Sequence, residues 1–222
     1  VIGRILEAEG LRVAIVPQPN WRDDLRDFRK LGRPRLFFGI SAGCMDSMVN
    51  KYTANKRLRS DDAYTPDGRP DMRPEYPSIV YTQILKKLYP DVPVVLGGIE
   101  ASMRRLSHYD YWQDRLKKSI LCESGADMLI YGMGEKPICE LVRRLTALCD
   151  NQDGVISSSD IHSPALSSIP QTAYLTRKYE SDENDITLYS HEECLADKKK
   201  QATNFRHIEE ESNKYAAARI VQ

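Results

Sequence analysis

Short, continuous apolar runs punctuate the chain at Leu11–Val16, Leu36–Ile40, Val92–Leu96 and Met128–Tyr131. Each ends in a turn or a small-residue loop, and a segment of helical spacing follows each one. Runs of that length and character suit strands covered on both faces. Strands that alternate with helices build a parallel sheet, whose carboxyl ends all point the same way. The pattern therefore predicts a Rossmann-like, doubly wound parallel α/β sheet over residues 1–150. Three of the runs close on Ser41-Ala42-Gly43-Cys44, Gly97-Gly98-Ile99-Glu100 and Gly132-Met133-Gly134-Glu135. These turns should share one rim, where open α/β sheets bind ligands.

Helical periodicity fills the gaps between the runs. Val1–Gly10 reads as the end of an amphipathic helix, with Ile2, Ile5 and Leu6 on one face and Gly10 as its cap. That reading implies a first strand and the start of the helix further upstream. Trp21–Leu31 predicts a helix capped by Asn20, stopped at Gly32 and buried along Trp21, Leu25 and Phe28. Ser78–Tyr89 carries Val80, Ile84 and Leu88 at helical spacing, and Trp112–Glu123 carries Trp112, Leu116 and Ile120. The helix after the third turn has Ile138, Leu141, Val142, Leu145 and Leu148 on one face, with Pro137 in its first turn.

Two stretches break this rhythm. Asn50–Pro77 is polar, proline-rich and without apolar period, which fits a lid or docking loop and equally an irregular solvated insertion. Residues 151–222 read as a separate region: a linker over Asp150–Pro170, short β-like runs at Thr172–Thr176 and Ile186–Tyr189, and a charged terminal helix over 192–221. The thin apolar stripe of that helix (Leu195, Phe205, Ile208, Tyr215 and Ile220) suggests packing on something else.

Composition narrows the function classes. Lys+Arg 32 against Asp+Glu 32 leaves no net charge over 222 residues, so no global field recruits nucleic acid or acidic membrane. No apolar stretch approaches the roughly 20 residues of a membrane span. Cys44, Cys122, Cys139, Cys149 and Cys194 lie at wide spacings without a metal-ligand motif. An odd count of unclustered cysteines points to reduced thiols and a cytoplasmic setting.

The chemistry-bearing candidates lie on the expected rim. Gly97 and Gly98 allow a tight turn and close approach of a ligand, and Ser102 could cap the next segment or offer its hydroxyl to a bound group. The plainer reading is an ordinary strand-to-helix turn in which Glu100 complements a helix dipole. Gly132 and Gly134 expose amides at a helix start, although Glu135 puts negative charge where a phosphate would sit. Pro137 occupies the third glycine position of the dinucleotide fingerprint, which disfavours NAD. The candidate cofactor-binding set is Ser41, Gly43, Gly97, Gly98, Ser102, Gly132, Gly134 and Glu135. Cys44 reads either as a nucleophile or as a small packed side chain. Arginines and aromatics interleave over residues 103–118, which suits single-stranded RNA or a domain interface. No catalytic set and no metal site emerges from the dispersed histidines and cysteines.

Together, the segments Gly97–Ser102 and Gly125–Glu135 resemble the "GG…S" and "D…GxGE" signatures of cobalamin-binding-type domains that precede the core of many radical S-adenosylmethionine enzymes. Ser41–Ala54, Arg69-Pro70-Asp71 and Gly97–Trp112 are similar to the YgiQ family of bacterial radical S-adenosylmethionine proteins. The resemblance covers most of residues 1–150. It implies a cobalamin-binding-domain-like fold in a parent enzyme whose [4Fe-4S] cluster, held by CxxxCxxC, cleaves S-adenosylmethionine to a radical. That motif is absent from this sequence, so the resemblance makes the chain an accessory domain, inactive alone, whose rim faces a radical core as its partner. DxHxxG, which supplies a lower cobalt ligand in cobalamin domains, is also absent, so cobalamin stays open. The alternative is a non-catalytic module that docks RNA or protein through residues 103–118.

Overall fold

A computed structural model of the protein describes residues 1–151, 154–177, 179–214, 217 and 219–221. The chain forms two compact units, Val1–Leu106 with Ser119–Leu175, and Ser107–Lys118 with Thr176–Gln222. Strands are β1 (Phe38–Ser41), β2 (Val94–Gly97), β3 (His108–Asp110), β4 (Arg115–Lys117), β5 (Met128–Ile130) and β6 (Thr172–Ala173). The helices of the first unit are α1 (Ile2–Ala8), α2 (Arg26–Arg29), α3 (Ser47–Lys51), α4 (Pro77–Leu88), α5 (Gly98–Met103), α6 (Ile120–Ser124), α7 (Glu135–Asn151), α8 (Ser158–Ile161) and α9 (Pro164–Ser167). The second unit holds α10 (His191–Ala196) and α11 (Lys198–Ser212).

The first unit is an α/β sandwich around a sheet of order β1-β2-β5-β6. β1, β2 and β5 run parallel and β6 antiparallel, with Ser41 beside Gly97 and Leu96 beside Leu129. Alternation along each strand sends side chains to opposite faces. On one face Ile40, Val94, Leu96 and Leu129 pack with Phe28, Tyr81, Leu85, Ile120 and Leu121. On the other, Val95, Met128 and Ile130 pack with Ile138, Leu141 and Leu145 of α7, and Ile5 and Leu6 of α1 lie against that cluster. Two covered faces account for the near-continuous apolar strands.

Several expected elements form as read. α1 ends at Ala8 with Glu9 as its C-cap, and Gly10 follows with a φ of +84° that favours glycine. α7 buries Ile138, Leu141, Val142 and Leu145, with Pro137 in its first turn. On α4 the deepest face is instead Ser78, Tyr81, Thr82 and Leu85. Val80, Ile84 and Leu88 flank it, half-buried against the same core.

Other expectations are corrected. Leu11–Val16 adds no strand to the sheet, since an apolar run becomes a strand only where a partner offers its backbone. Trp21–Leu31 shrinks to the single turn α2, because side chains compete for the backbone: Asn20, Asp23 and Asp24 accept the N–H groups of Arg22, Leu25 and Arg26. Its stripe of Trp21, Leu25 and Phe28 still packs on the core. Asp150–Pro170 is no bare linker, for it buries Ile156, Ile161, Leu166 and Ile169 in the α7-side cluster. Asn50–Pro77 is irregular and largely exposed, as the solvated reading expects. It is tied internally by Arg73–Asp62 at 2.9 Å and Lys51–Asp71 at 2.6 Å.

The predicted helix Trp112–Glu123 divides: its first part forms the turn and second strand of the β3–β4 hairpin of the second unit, with His108 opposite Lys117, and only Ile120–Ser124 is helical, as α6 of the first unit. Apolar residues four apart also fit the two arms and turn of a hairpin. Asp110 Oδ1 accepts Gln113 N at 2.9 Å, and Asp114 takes a positive φ of +51° to close the turn. The terminal helix divides into α10 and α11, each with a side-chain cap, from Ser190 and Asp197 respectively. Buried Asn204 exchanges hydrogen bonds with both backbone groups of Tyr189, at 2.9 and 2.8 Å. Leu195, Phe205 and Ile220 are exposed; Tyr215 lies outside the described residues.

Candidate ligand rim

Parallel pairing brings the three glycine turns together at the carboxyl ends of β1, β2 and β5. Gly98 has a φ of +84°, and a Cβ built on it would stand 2.6 Å from Ser41 Oγ. Ser41 Oγ accepts Gly43 N at 3.2 Å. Ser102 Oγ donates to Gly98 O at 2.8 Å and accepts Gly132 N at 3.1 Å, which links the second turn to the third. The guanidinium of Arg105 donates to Ser102 O at 2.8 Å and lies 4.8 Å from the centre of the Tyr131 ring. Ser41, Gly43, Gly97, Gly98, Ser102 and Gly132 thus form one continuous surface. Ser102 neither caps a helix nor stands free, since its hydroxyl joins two turns.

Gly134 and Glu135 lead into α7, whose first-turn amides lack intrahelical partners by construction. Beside them a groove of about 580 Å³ is lined by Ile5, Glu135, Lys136, Cys139, Arg143 and Gln171 among others. That volume lies within the range of ligand clefts. Arg143 of its wall pairs with Glu9 at 2.9 Å. Hydrogen bonding to Arg143 holds the Glu9 carboxyl below its usual range, while burial and the neighbouring Glu9 push the Cys139 thiol up.

The support behind the rim was not legible in the sequence. Glu100 is wholly buried and stands in the first turn of α5, where its charge complements that helix dipole as read, but it also does more. Its two carboxylate oxygens accept Ser47 N at 3.2 Å and Ser78 N at 3.1 Å, one at the start of α3 and one at the start of α4. Arg104, read as part of a docking segment, is buried and paired with Asp46. Asp46 also caps α3 through Met48 N and Val49 N. Burial works against the Arg104 charge, but the Asp46 hydrogen bond, with help from Glu100 and Tyr76, outweighs it and raises the guanidinium pKa. These partners lie 58, 53 and 22 residues apart in sequence, so no local pattern announces them.

The insertion meets the rim at its first turn. Arg73 donates to Ala42 O at 3.3 Å while pairing with Asp62. Burial tends to raise the Asp62 pKa, yet hydrogen bonds from Asn50, Tyr64 N and Arg73 leave it below its usual value. Exposed Cys44 hydrogen-bonds Tyr64 and raises the pKa of that phenol.

A mostly parallel sheet covered by helices on both faces, with glycine turns joined along its carboxyl edge, defines a Rossmann-like α/β domain. The chain belongs to the radical S-adenosylmethionine N-terminal family: the family described as "Radical SAM N-terminal" matches residues 1–222. It is 77% identical over 224 residues to a UPF0313 protein of Bacteroides thetaiotaomicron, an alignment covering all of this chain and 36% of that protein. A UPF0313 protein of Porphyromonas gingivalis is 68% identical, across all of this chain and 34% of its own length. UPF0313 protein YgiQ of Escherichia coli is 56% identical over 145 residues, 65% of this chain and 20% of that protein. The chain thus spans about a third of the length of the relatives that match it throughout. No solved structure matches.

The family name brings an iron–sulfur cluster into question, and the residues here do not fit one. Among the described residues no group of three or more His, Cys, Asp or Glu is placed to hold a metal ion. The five cysteines are free; Cys44 and Cys122 are exposed, Cys139 is half-buried, and Cys149 and Cys194 are buried. Among the described residues no helix is long and apolar enough to cross a membrane.

Proposed function

We propose that residues 1–222 act as the accessory domain of a cytoplasmic radical S-adenosylmethionine iron–sulfur protein. The [4Fe-4S] cluster and the radical chemistry belong to a core outside these residues. The rim formed by Ser41, Gly43, Gly97, Gly98, Ser102, Gly132, Gly134 and Glu135 faces that core and holds a substrate or cofactor tail. One observation supports the reading above the rest: three glycine turns at the carboxyl ends of three parallel strands are tied into one surface through Ser102 and the Ser41–Gly98 approach. Open α/β sheets bind ligands at that edge. The groove of about 580 Å³ beside Glu135 gives a tail room to lie. Whether the tail is cobalamin is decided by the corrin absorption spectrum on mixing.

Nothing favours the docking alternative over 103–118. Arg104, its central cation, is buried on Asp46.

The test is anaerobic reconstitution of the whole protein beside residues 1–222 alone. The whole protein should cleave S-adenosylmethionine and the isolated chain should not; turnover by the isolated chain overturns the reading. In the reconstituted protein, Glu135→Gln should shift apparent substrate affinity while leaving the iron content unchanged. An unaltered affinity removes the rim from the proposal.

A further inference from the structure

β1 lies at the margin of its sheet, and among the described residues no strand pairs with its outer side. Phe38 N donates to Pro93 O at 2.9 Å. In a parallel ladder alternate residues bond to the same neighbour. Phe38 and Ile40 therefore turn their backbone groups to β2, while Phe37, Gly39 and Ser41 turn theirs outward. Gly39 and Ser41 are exposed although Ile40 between them is buried. An apolar strand with an open row of donors and acceptors is a template for another strand.

A second apolar run, Leu11–Val16, pairs with no strand among the described residues. Leu11, Val13 and Val16 are half-buried, whereas Ile15 is 77% exposed. α1 packs directly on this run: the Cβ position of Gly3 lies 3.3 Å from Ile15 Cδ1 and 3.8 Å from Val13 Cγ1. A helix followed by a strand-like run that it covers is the latter part of a strand–helix–strand unit.

Handedness fixes where the missing member belongs. Crossovers between parallel strands are right-handed almost without exception. From β1 the chain reaches β2 through α4, on the face holding Phe28, Tyr81 and Leu85. Leu11–Val16 leads to β1 across that same face, through Trp21, Leu25 and Phe28. The same hand on the same face puts Leu11–Val16 on the side of β1 away from β2. α1 lies on the opposite face, with Ile5 and Leu6 against the α7 cluster. A strand feeding α1 must then lie on the β1 side of Leu11–Val16. One gap meets both conditions, and it is the open edge of β1.

We propose that the outer edge of β1 docks one parallel β-strand, which comes from this protein's own chain outside residues 1–222 and runs into α1. Leu11–Val16 pairs on the far side of that strand. The relatives are about three times as long as this chain, so the same polypeptide has residues to supply it. The sheet order becomes (Leu11–Val16)–docked strand–β1–β2–β5–β6, and its direction of winding reverses between the docked strand and β1. Such a reversal is where doubly wound sheets open a crevice, here beside Ser41 and Gly43. Use of that crevice rests on the function proposed above; the docked strand does not.

Amide hydrogen exchange read at single residues in the intact, full-length protein tests the docking. Ile40, bonded to β2, is the internal reference. We expect the Gly39 amide to exchange as slowly as Ile40, on the order of 100-fold slower than an open chain, at every protein concentration. Alternate amides within Leu11–Val16 should be protected with it. Rapid exchange at Gly39 beside a protected Ile40 overturns the proposal. So does protection of Gly39 that fades on dilution, which would give the edge to a second copy. Protection of Gly39 while all of Leu11–Val16 exchanges freely also overturns it, because the strand would not lie between them. None of these readings depends on a ligand or on turnover, so failure of the rim reading leaves them intact.

Discussion

Gly98 faces Ser41 across the ends of β2 and β1 with no room for a side chain: a Cβ on Gly98 would lie 2.6 Å from the Ser41 hydroxyl oxygen. The backbone of Gly98 is also left-handed, at φ +84°. Alanine there meets backbone strain of roughly 1–2 kcal/mol and overpacking of about 1–3 kcal/mol. Gly98→Ala should therefore destabilise the domain by about 2 kcal/mol or more in urea unfolding. Adding Ser41→Ala should recover part of that loss, since Ser41 Cβ still stands 3.6 Å from the new methyl. Gly10→Ala is the control. It has the same φ and nothing within 4 Å, so it should show the backbone cost alone, and equal costs at the two glycines would refute the close approach.

Glu100 holds two helix starts at once. Removing its carboxylate leaves Ser47 N and Ser78 N buried without their acceptor, at a cost of about 1–3 kcal/mol for each unsatisfied group. Glu100→Ala should lower the unfolding free energy by roughly 3 kcal/mol or more. Glu100→Gln keeps one acceptor and should cost less. Exchange at the Ser47 and Ser78 amides should quicken in both variants before that of the β2 amides, and an unchanged pattern would sink the assignment.

Arg104 and Arg105 are neighbours with different fates. Arg104→Ala strands a buried Asp46 carboxylate, which by analogy with other broken buried pairs costs about 3–5 kcal/mol. Arg105 rests half-buried on the Tyr131 ring, and Arg105→Ala should cost on the order of 1 kcal/mol. Removing both charges while keeping the α3 cap, as in Arg104→Met with Asp46→Asn, should restore much of the stability lost in Arg104→Ala. Thermal or urea unfolding of the four proteins gives the comparison directly.

Acid should loosen the second unit in a defined window. Glu211 is bonded by Arg219 and then Lys214, and its pKa is lowered from 4.5 to about 2. Glu193, bonded by Lys200 and capping through Ser190, is likewise at about 2. A carboxyl whose folded pKa is depressed contributes stability above its unfolded pKa and loses it as pH falls through the folded value. The contribution should be whole above about pH 4.5 and fade between there and pH 2. Carbon-13 titration of the Glu211 carboxyl checks this, and Arg219→Ala should move its midpoint upward.

Much of the frame was legible because it rests on local periodicity. The runs that became β1, β2 and β5 declared themselves by continuous apolar character, and α7 by Ile138, Leu141, Val142 and Leu145. Gly43, Gly98 and Gly132 of the rim were legible because positive φ selects that residue. Other features were not. Leu116 and Ile120 fit a helix by spacing, yet Leu116 pairs in a hairpin and Ile120 opens α6. Four-residue spacing alone does not separate those outcomes. Leu11–Val16 looked like a strand, but its neighbour decides whether it pairs.

What the sequence determined by itself was the set of strands able to sit between two helical layers, and the turns that had to be glycine. Both follow from interactions within a few residues: side-chain alternation, helical period and the steric freedom of φ. The tertiary structure decided what Glu100, Arg104 and Ser102 do. Each is a polar group whose partner lies 22 to 58 residues away. A polar side chain is forced to seek such a partner only when folding withdraws it from water. That withdrawal is a property of the packed sheet and cannot be found in any short stretch of chain.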